Sequence, residues 1–226
     1  MIKAIFFDWG HVFATFPKDR GKKLDAILKP FGFNWQKFHP YWRQFYILRS
    51  SGRIKNDKDF ETYIRRVIRK DIPVKEIIKI TIKCHFIPKE HIEVVKKLKK
   101  KYRVGILSNY VEGWLKQVIQ NYKIKNLFDA LIISSAVGER KPNAIIYYEA
   151  LKKFKVKANE TVFIADEVSE DLVTASGLGI KTVWLNADWK GWWSKDDKKV
   201  LRIYKPDAVI KNLREVISVI KTLDRS

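Results

Sequence analysis

Six short apolar runs, each ending in polar residues and separated by helix-length stretches, constrain this 226-residue chain more than any other feature. Residues 2–7 (IKAIFF) form the first run, which stops at Asp8-Trp9-Gly10. A run without polar alternation is the pattern of a strand buried on both faces. Comparable runs lie at 104–107, 130–134, 161–165, 182–185 and 208–210. Between them the apolar spacing predicts helices over 114–120, 144–154, 171–176 and 213–223. Alternating strands and helices of this kind imply an α/β fold, a doubly wound parallel sheet covered by helices on both faces.

Residues 17–87 break that rhythm, with little that reads as strand. Trp35, Phe38, Trp42, Phe45 and Ile47/Leu48 recur at near-helical spacing, and Pro40 predicts a helix start, since proline fits the first helical turn. Ser50-Ser51-Gly52 ends that helix, and Asn56 or Asp57 can cap the next, whose apolar face is Phe60, Tyr63/Ile64, Val67 and Ile68. A third helix is expected over 74–82. The expected organisation is a Rossmann-like core, residues 1–15 and 88–226, interrupted by a helical cap at 16–87. Trp35, Tyr41, Trp42 and Tyr46 are the cap aromatics that can face a cleft, although aromatics at helical spacing mostly serve as core.

Composition narrows the function classes. The 46% hydrophobic and 31% charged content is that of a globular protein with a substantial core. A single cysteine, Cys84, excludes an internal disulfide and a cysteine-rich zinc module. No segment approaches the roughly 20 apolar residues that span a bilayer, and the N-terminal run reads as a strand rather than a signal peptide. A cytoplasmic address and no membrane partner are therefore expected. Lys+Arg outnumber Asp+Glu by 46 to 25, a formal charge of +21. The lysines are spread from Lys3 to Lys221, so this predicts only non-specific nucleic-acid binding. The cluster Lys96, Lys97, Lys99, Lys100 and Lys101 reads as a solvated helix face opposite Ile92, Val95 and Leu98. Trp184 falls in a strand, whereas Trp189, Trp192 and Trp193 fall in a loop and form a candidate interface.

In doubly wound sheets ligands sit at the carboxyl ends of the strands. The residues there are Asp8; Ser108 and Asn109; Gly138-Glu139-Arg140-Lys141-Pro142; and Asp166-Glu167, with Asp171 one turn later. Singly, Asp8 can cap a turn, Ser108 can cap a helix and Asp171 can begin one. Jointly they bring carboxylates, a hydroxyl and a lysine to one edge of a sheet, which marks an anion and metal site.

These motifs, FFDWG, ILSN, GERKP and IADEVSED in that order, resemble the haloacid dehalogenase-like hydrolase superfamily across essentially the full chain. SSGRIKNDKDF resembles the turn and helix of that superfamily's small helical caps, and Asp8, Gly10 and Val12 match a DxGxV variant similar to alpha-glucose-1-phosphate phosphatase-like members. The resemblance implies phosphoryl transfer through an aspartyl-phosphate on Asp8. It implies Mg2+ held by Asp8, the Gly10 carbonyl and Asp166, with Asp171 holding a metal-bound water or Lys141. Lys141, Ser108 and the Asn109 amide would then meet the phosphoryl oxygens of a small phosphorylated substrate.

The sequence departs from the superfamily at position 10, where most phosphatases carry a second aspartate as acid/base and this chain has glycine. A positioned acid/base contributes roughly 10²–10⁴-fold, about 3–5 kcal/mol. Slow turnover, or a substrate with a good leaving group, is therefore expected. His11 and a group from the cap or the substrate are the alternatives for the missing acid. Two rival readings remain. A metal-independent 2-haloacid dehalogenase uses the same nucleophile, and Lys141 and Tyr147 fit its spacing, but Val12 and Asp166-Glu167 depart from that branch. A catalytically silent binding protein with a basic surface is consistent with the loss at position 10.

Overall fold

The computed structural model describes residues 1–187 and 195–225. The candidate interface at Trp189, Trp192 and Trp193 lies outside them. Six parallel strands form one sheet: β1 (Ala4–Phe7), β2 (Arg103–Ser108), β3 (Ala130–Ile133), β4 (Thr161–Ala165), β5 (Lys181–Leu185) and β6 (Ala208–Ile210). Their spatial order is β3-β2-β1-β4-β5-β6, so the order reverses between β1 and β4. Phe7, the last residue of β1, lies opposite Ile106 and Ile164.

Side chains alternate across the sheet, as the period of two requires. Ile5 and Phe7 enter one apolar core with Val104, Ile106, Val162 and Ile164. Ala4 and Phe6 enter the other with Leu107, Phe163 and Ala165. Both faces are buried, which is why the strands are uniformly apolar in sequence. Gly105 in β2 marks a close approach. An added Cβ there would stand 2.8 Å from Phe154 Cζ and 2.9 Å from Phe6 Cε1. Gly105→Ala is therefore expected to overpack the sheet and cost about 1–3 kcal/mol, read as a lower urea midpoint with an unchanged slope. An unchanged midpoint would contradict the contact.

Between β1 and β2 lie α1 (Arg20–Leu28), α2 (Trp35–Ser50), α3 (Asp57–Ile68), α4 (Val74–Lys83) and α5 (Lys89–Lys99). The first of these is absent from the sequence reading. The second begins five residues before Pro40, because Asn34 caps it by accepting from the Lys37 N–H at 2.8 Å. Pro40 sits inside the helix on its exposed face, where water can satisfy the carbonyl it leaves unpaired. Asn56, rather than Asp57, caps α3, accepting from Asp59 N–H at 2.9 Å.

These helices share the apolar core of the first sheet face. Trp42 of α2 stacks on Trp114 of α6 (Glu112–Asn121), with ring centroids 6.3 Å apart. The Trp114 Nε1–H donates to Asp57 Oδ2 at 2.9 Å. Gly52, at φ +72°, turns the chain after α2 so closely over the next element that a Cβ would meet Ser135 O at 2.8 Å. Ser134 does not extend β3 but begins α7 (Ser134–Val137), and its hydroxyl donates to Ser50 O at 2.6 Å.

The chain continues through α8 (Ala144–Phe154), α9 (Val173–Gly177), α10 (Lys195–Val200) and α11 (Val216–Leu223). The expected helix at 171–176 is two pieces, a π-helical turn over Val168–Leu172 followed by α9. Lys96, Lys97, Lys100 and Lys101 are exposed along and just beyond α5, as its amphipathic pattern requires. Trp184 is 7% exposed and belongs to the core. Among the described residues no helix is long and apolar enough to cross a membrane.

Candidate active site at the strand ends

The reversal between β1 and β4 opens a crevice where two connections leave in opposite directions. Asp8 follows β1 directly, and its main-chain N–H still donates to Ile164 O at 2.9 Å, so the carboxylate is aimed by the sheet itself. Asp166 follows β4. Its main-chain carbonyl accepts from Trp184 Nε1 at 3.0 Å. Asp171 lies in the π-helical turn, whose wider coil brings it back towards the strand ends. Tyr147 of α8 donates its hydroxyl to Asp171 O at 2.7 Å and fixes that turn.

Lys141 is the hub. Its ammonium lies 2.9 Å from Asp8 Oδ1 and 2.8 Å from Asp171 Oδ1. Only 4% of the residue is exposed, against 9% for Asp8 and 3% for Asp171. The Phe163 ring lies 5.1 Å beneath the ammonium. Burial alone would lower this lysine, but the charges of Asp171 and Asp8 outweigh it and hold it protonated.

One cation does not balance the site. Asp8, Asp166 and Asp171 each offer a carboxylate oxygen within 4.8 Å of the others. Burial, followed by the charges of Asp8 and Asp171, holds Asp166 well above the ordinary carboxylate range. Asp171 is also raised, by burial first, against the opposing pull of Lys141 and with Asp8 adding to the rise. Three clustered hard oxygen donors in partly dry surroundings fit a divalent cation of the magnesium type.

A carboxyl group raised in the folded state keeps a proton that the unfolded chain has already released. The metal-free protein therefore loses stability as pH rises from the ordinary aspartate value of 3.8 towards the raised folded values. A divalent cation takes the place of those protons. Adding magnesium is expected to raise the melting temperature more at about pH 7.5 than at about pH 5, at constant ionic strength. An equal gain at both would contradict the reading of the three carboxylates as one site.

Ser108 ends β2 and is 3% exposed. Asn109 uses its side chain on the third motif: Oδ1 accepts from Lys141 N–H at 2.8 Å and Nδ2 donates to Lys141 O at 3.0 Å. Its side-chain amide is thus committed to positioning Lys141. Gly10 takes no positive φ, and a Cβ on it would meet nothing within 4 Å. The space for a side chain exists although the residue supplies none. His11, at φ 57°, packs its ring 5.3 Å from that of Phe16.

Of the residues singled out in the sequence, Asp8, Lys141, Asp166 and Asp171 converge, with Asn109 bonded to Lys141, and the supporting roles of several others were missed. Trp184 and Tyr147 hold the backbones of Asp166 and Asp171, a role that depends on contacts remote in sequence. Of the cap aromatics, Trp42 is core and Tyr41 is exposed, whereas the Tyr46 hydroxyl reaches the site and donates to Asn109 O at 3.1 Å. Arg49 is held by Asp57 at 2.9 Å, and Arg43 lies 3.8 Å from Glu170.

The profile of the haloacid dehalogenase-like hydrolases matches residues 44–185, more than half of the chain, and the chain belongs to that family. It is 39% identical over 85 residues to a glyceraldehyde 3-phosphate phosphatase of Pyrococcus abyssi, covering 37% of this chain and 35% of that one. It is 25% identical over 135 residues to the pyrophosphatase PpaX of Bacillus cereus, 59% of each. The chain thus spans less than two thirds of the length of these curated relatives. A family enzyme from Bacteroides thetaiotaomicron, solved with magnesium and inorganic phosphate, has the same fold. Its TM-score is 0.69 at 24% identity, over 84% of this chain and 98% of that one.

Proposed function

We propose that this hydrolase is a magnesium-dependent phosphatase acting through an aspartyl-phosphate on Asp8, with a small phosphorylated metabolite as substrate. Residues 16–87 serve as the cap over a core formed by 1–15 and 88–226. The observation that carries the reading is the Lys141 ammonium between Asp8 and Asp171, with Asp166 within 4.8 Å of both carboxylates. Asp8, Asp166, Asp171 and the Gly10 carbonyl are the residues that would hold magnesium. The ion supplies charge that lets a phosphate dianion approach a carboxylate.

The Asp8 oxygen not engaged by Lys141 attacks phosphorus, and the bond from phosphorus to the leaving oxygen breaks with its electron pair on that oxygen. Lys141, the Ser108 hydroxyl and the Asn109 main-chain N–H bind the equatorial oxygens, where charge accumulates. Water then attacks phosphorus and frees Asp8. The chain offers no carboxyl at position 10 to protonate the leaving group, so substrates whose leaving group is stable without a proton are favoured.

The test is phosphate release from p-nitrophenyl phosphate, glycerol phosphate and acetyl phosphate, with magnesium and with chelator, beside halide release from 2-chloropropionate. Magnesium-dependent phosphate release, fastest for the best leaving groups, is expected. Metal-independent halide release would replace the reading with the dehalogenase. Silence in both assays, with salt-sensitive nucleic-acid binding, would replace it with a binding protein.

A further inference from the structure

Lys141 stands in an irregular segment between α7 and α8, so no helix or strand holds its main chain. One side chain does so instead. Asn109 serves both main-chain polar groups of Lys141, accepting from its N–H at 2.8 Å and donating to its O at 3.0 Å. The ammonium at the far end of that lysine reaches two carboxylates at once, Asp8 at 2.9 Å and Asp171 at 2.8 Å. A clamp of this kind places the ammonium only as well as Asn109 itself is placed, and Asn109 is the first residue beyond β2.

Helix α2 supplies that placement. The Tyr46 hydroxyl donates to Asn109 O at 3.1 Å and so fixes the peptide that leaves Asn109. Burial holds the phenol above its ordinary pKa, so it stays a donor. Ser50 lies four residues on, one turn away on the same face of the helix. The two are joined, since Ser50 Oγ donates to Tyr46 O at 2.6 Å. Arg140, the residue before Lys141, donates to Ser50 Oγ, and its guanidinium lies 5.9 Å from the centre of the Tyr46 ring. Ser50 O in turn accepts from Ser134 Oγ at 2.6 Å, which ties the same turn to the start of α7. One face of the end of α2 therefore holds the segment carrying Lys141 at two points, at Arg140 directly and at Lys141 by way of Asn109.

We propose that Tyr46 is a positioning residue: from α2 it sets, through Asn109, where the Lys141 ammonium stands between Asp8 and Asp171. This rests on the phosphatase reading and adds to it a residue that acts through another. The ammonium meets the equatorial oxygens as charge develops on them, so an error in its place weakens the transition state more than the substrate complex. Misplacing such a group by about 1 Å costs roughly 100-fold. Removing one hydroxyl leaves the Asn109 clamp itself intact, so a smaller loss belongs to Tyr46→Phe.

The test measures kcat and KM for p-nitrophenyl phosphate with magnesium in wild type, Tyr46→Phe, Asn109→Ala and the double variant. Tyr63→Phe, at an exposed tyrosine of α3, is the control. Tyr46→Phe is expected to lower kcat and kcat/KM alike, by about 10-fold. Added to Asn109→Ala it should cost less than about 2-fold, because the clamp through which it acts is gone. A rise in KM alone, or a full loss in both backgrounds, would overturn the proposal. A second measurement needs no turnover: proton–nitrogen spectra of the isotope-labelled, metal-free protein follow the Lys141 ammonium, assigned by its loss in Lys141→Arg. Tyr46→Phe should speed exchange of those protons with water by at least about 3-fold, and Tyr63→Phe should leave it as in wild type. An unchanged rate in Tyr46→Phe, or one raised equally by Tyr63→Phe, would overturn the proposal while wild-type turnover kept the phosphatase reading. If wild type released no phosphate, that reading would fall and the ammonium signal would still decide Tyr46.

Discussion

Asp8→Asn is expected to lower magnesium-dependent phosphate release by at least about 10⁴-fold, the scale on which removal of a covalent nucleophile acts. The amide has nearly the shape of the carboxylate, so its contact with Lys141 and the surrounding sheet can persist. Its nitrogen cannot form the acyl-phosphate, and its oxygen is a poor nucleophile. Acid-quenched wild type should carry phosphate on Asp8 by mass spectrometry, and the variant none. The same substitution should stabilise the metal-free fold. Asp8 contributes to the repulsion that raises both Asp166 and Asp171, whereas Lys141 keeps its second partner, Asp171, at 2.8 Å. A higher melting temperature with lost activity is the usual sign of a residue kept for function at a cost in stability. A variant that kept a tenth of the activity would remove Asp8 as the nucleophile. A large drop in melting temperature would instead make its carboxylate structural.

The site was legible in sequence because its main residues stand where buried strands stop. A strand covered on both faces leaves no position for a polar side chain, so Asp8, Ser108 and Asp166 stand out at once. Lys141 and Asp171 stood out less sharply, as polar residues some way past the strand ends, since one lies in a loop after β3 and the other within a turn. Their meeting depends on the sheet order and on the Tyr147 hydroxyl, and neither follows from local pattern. Helix limits were less legible. Pro40 suggests a start by its preference for the first turn, but the Asn34 cap and the buried faces of Phe38, Trp42 and Phe45 carry α2 through it. In α1 only Leu24 and Leu28 are buried, too few to announce a helix by periodicity.

Gly10→Asp supplies the sharpest separation between substrates. The backbone at Gly10 takes no positive φ and a Cβ there meets nothing within 4 Å, so the substitution carries no evident steric penalty. A carboxyl two residues after Asp8 would share the crowded negative field that already raises Asp166 and Asp171, which favours its protonated, donating form. For an alkyl phosphate the leaving oxygen is strongly basic, and protonation is worth roughly 10²–10⁴-fold, about 3–5 kcal/mol. For an acyl phosphate the leaving carboxylate needs no proton, and a gain under about 3-fold is expected. The comparison belongs in kcat/KM, which covers steps only through formation of the aspartyl-phosphate. In kcat the same carboxylate, once deprotonated, can also activate water for the second step and blur the distinction. A large gain confined to glycerol phosphate would show that position 10 lacks only the acid. Equal gains on both substrates would mean that the added group acts on binding or on the nucleophile instead. A loss on both would mean that a further carboxylate beside Asp8 costs more in repulsion than its proton returns.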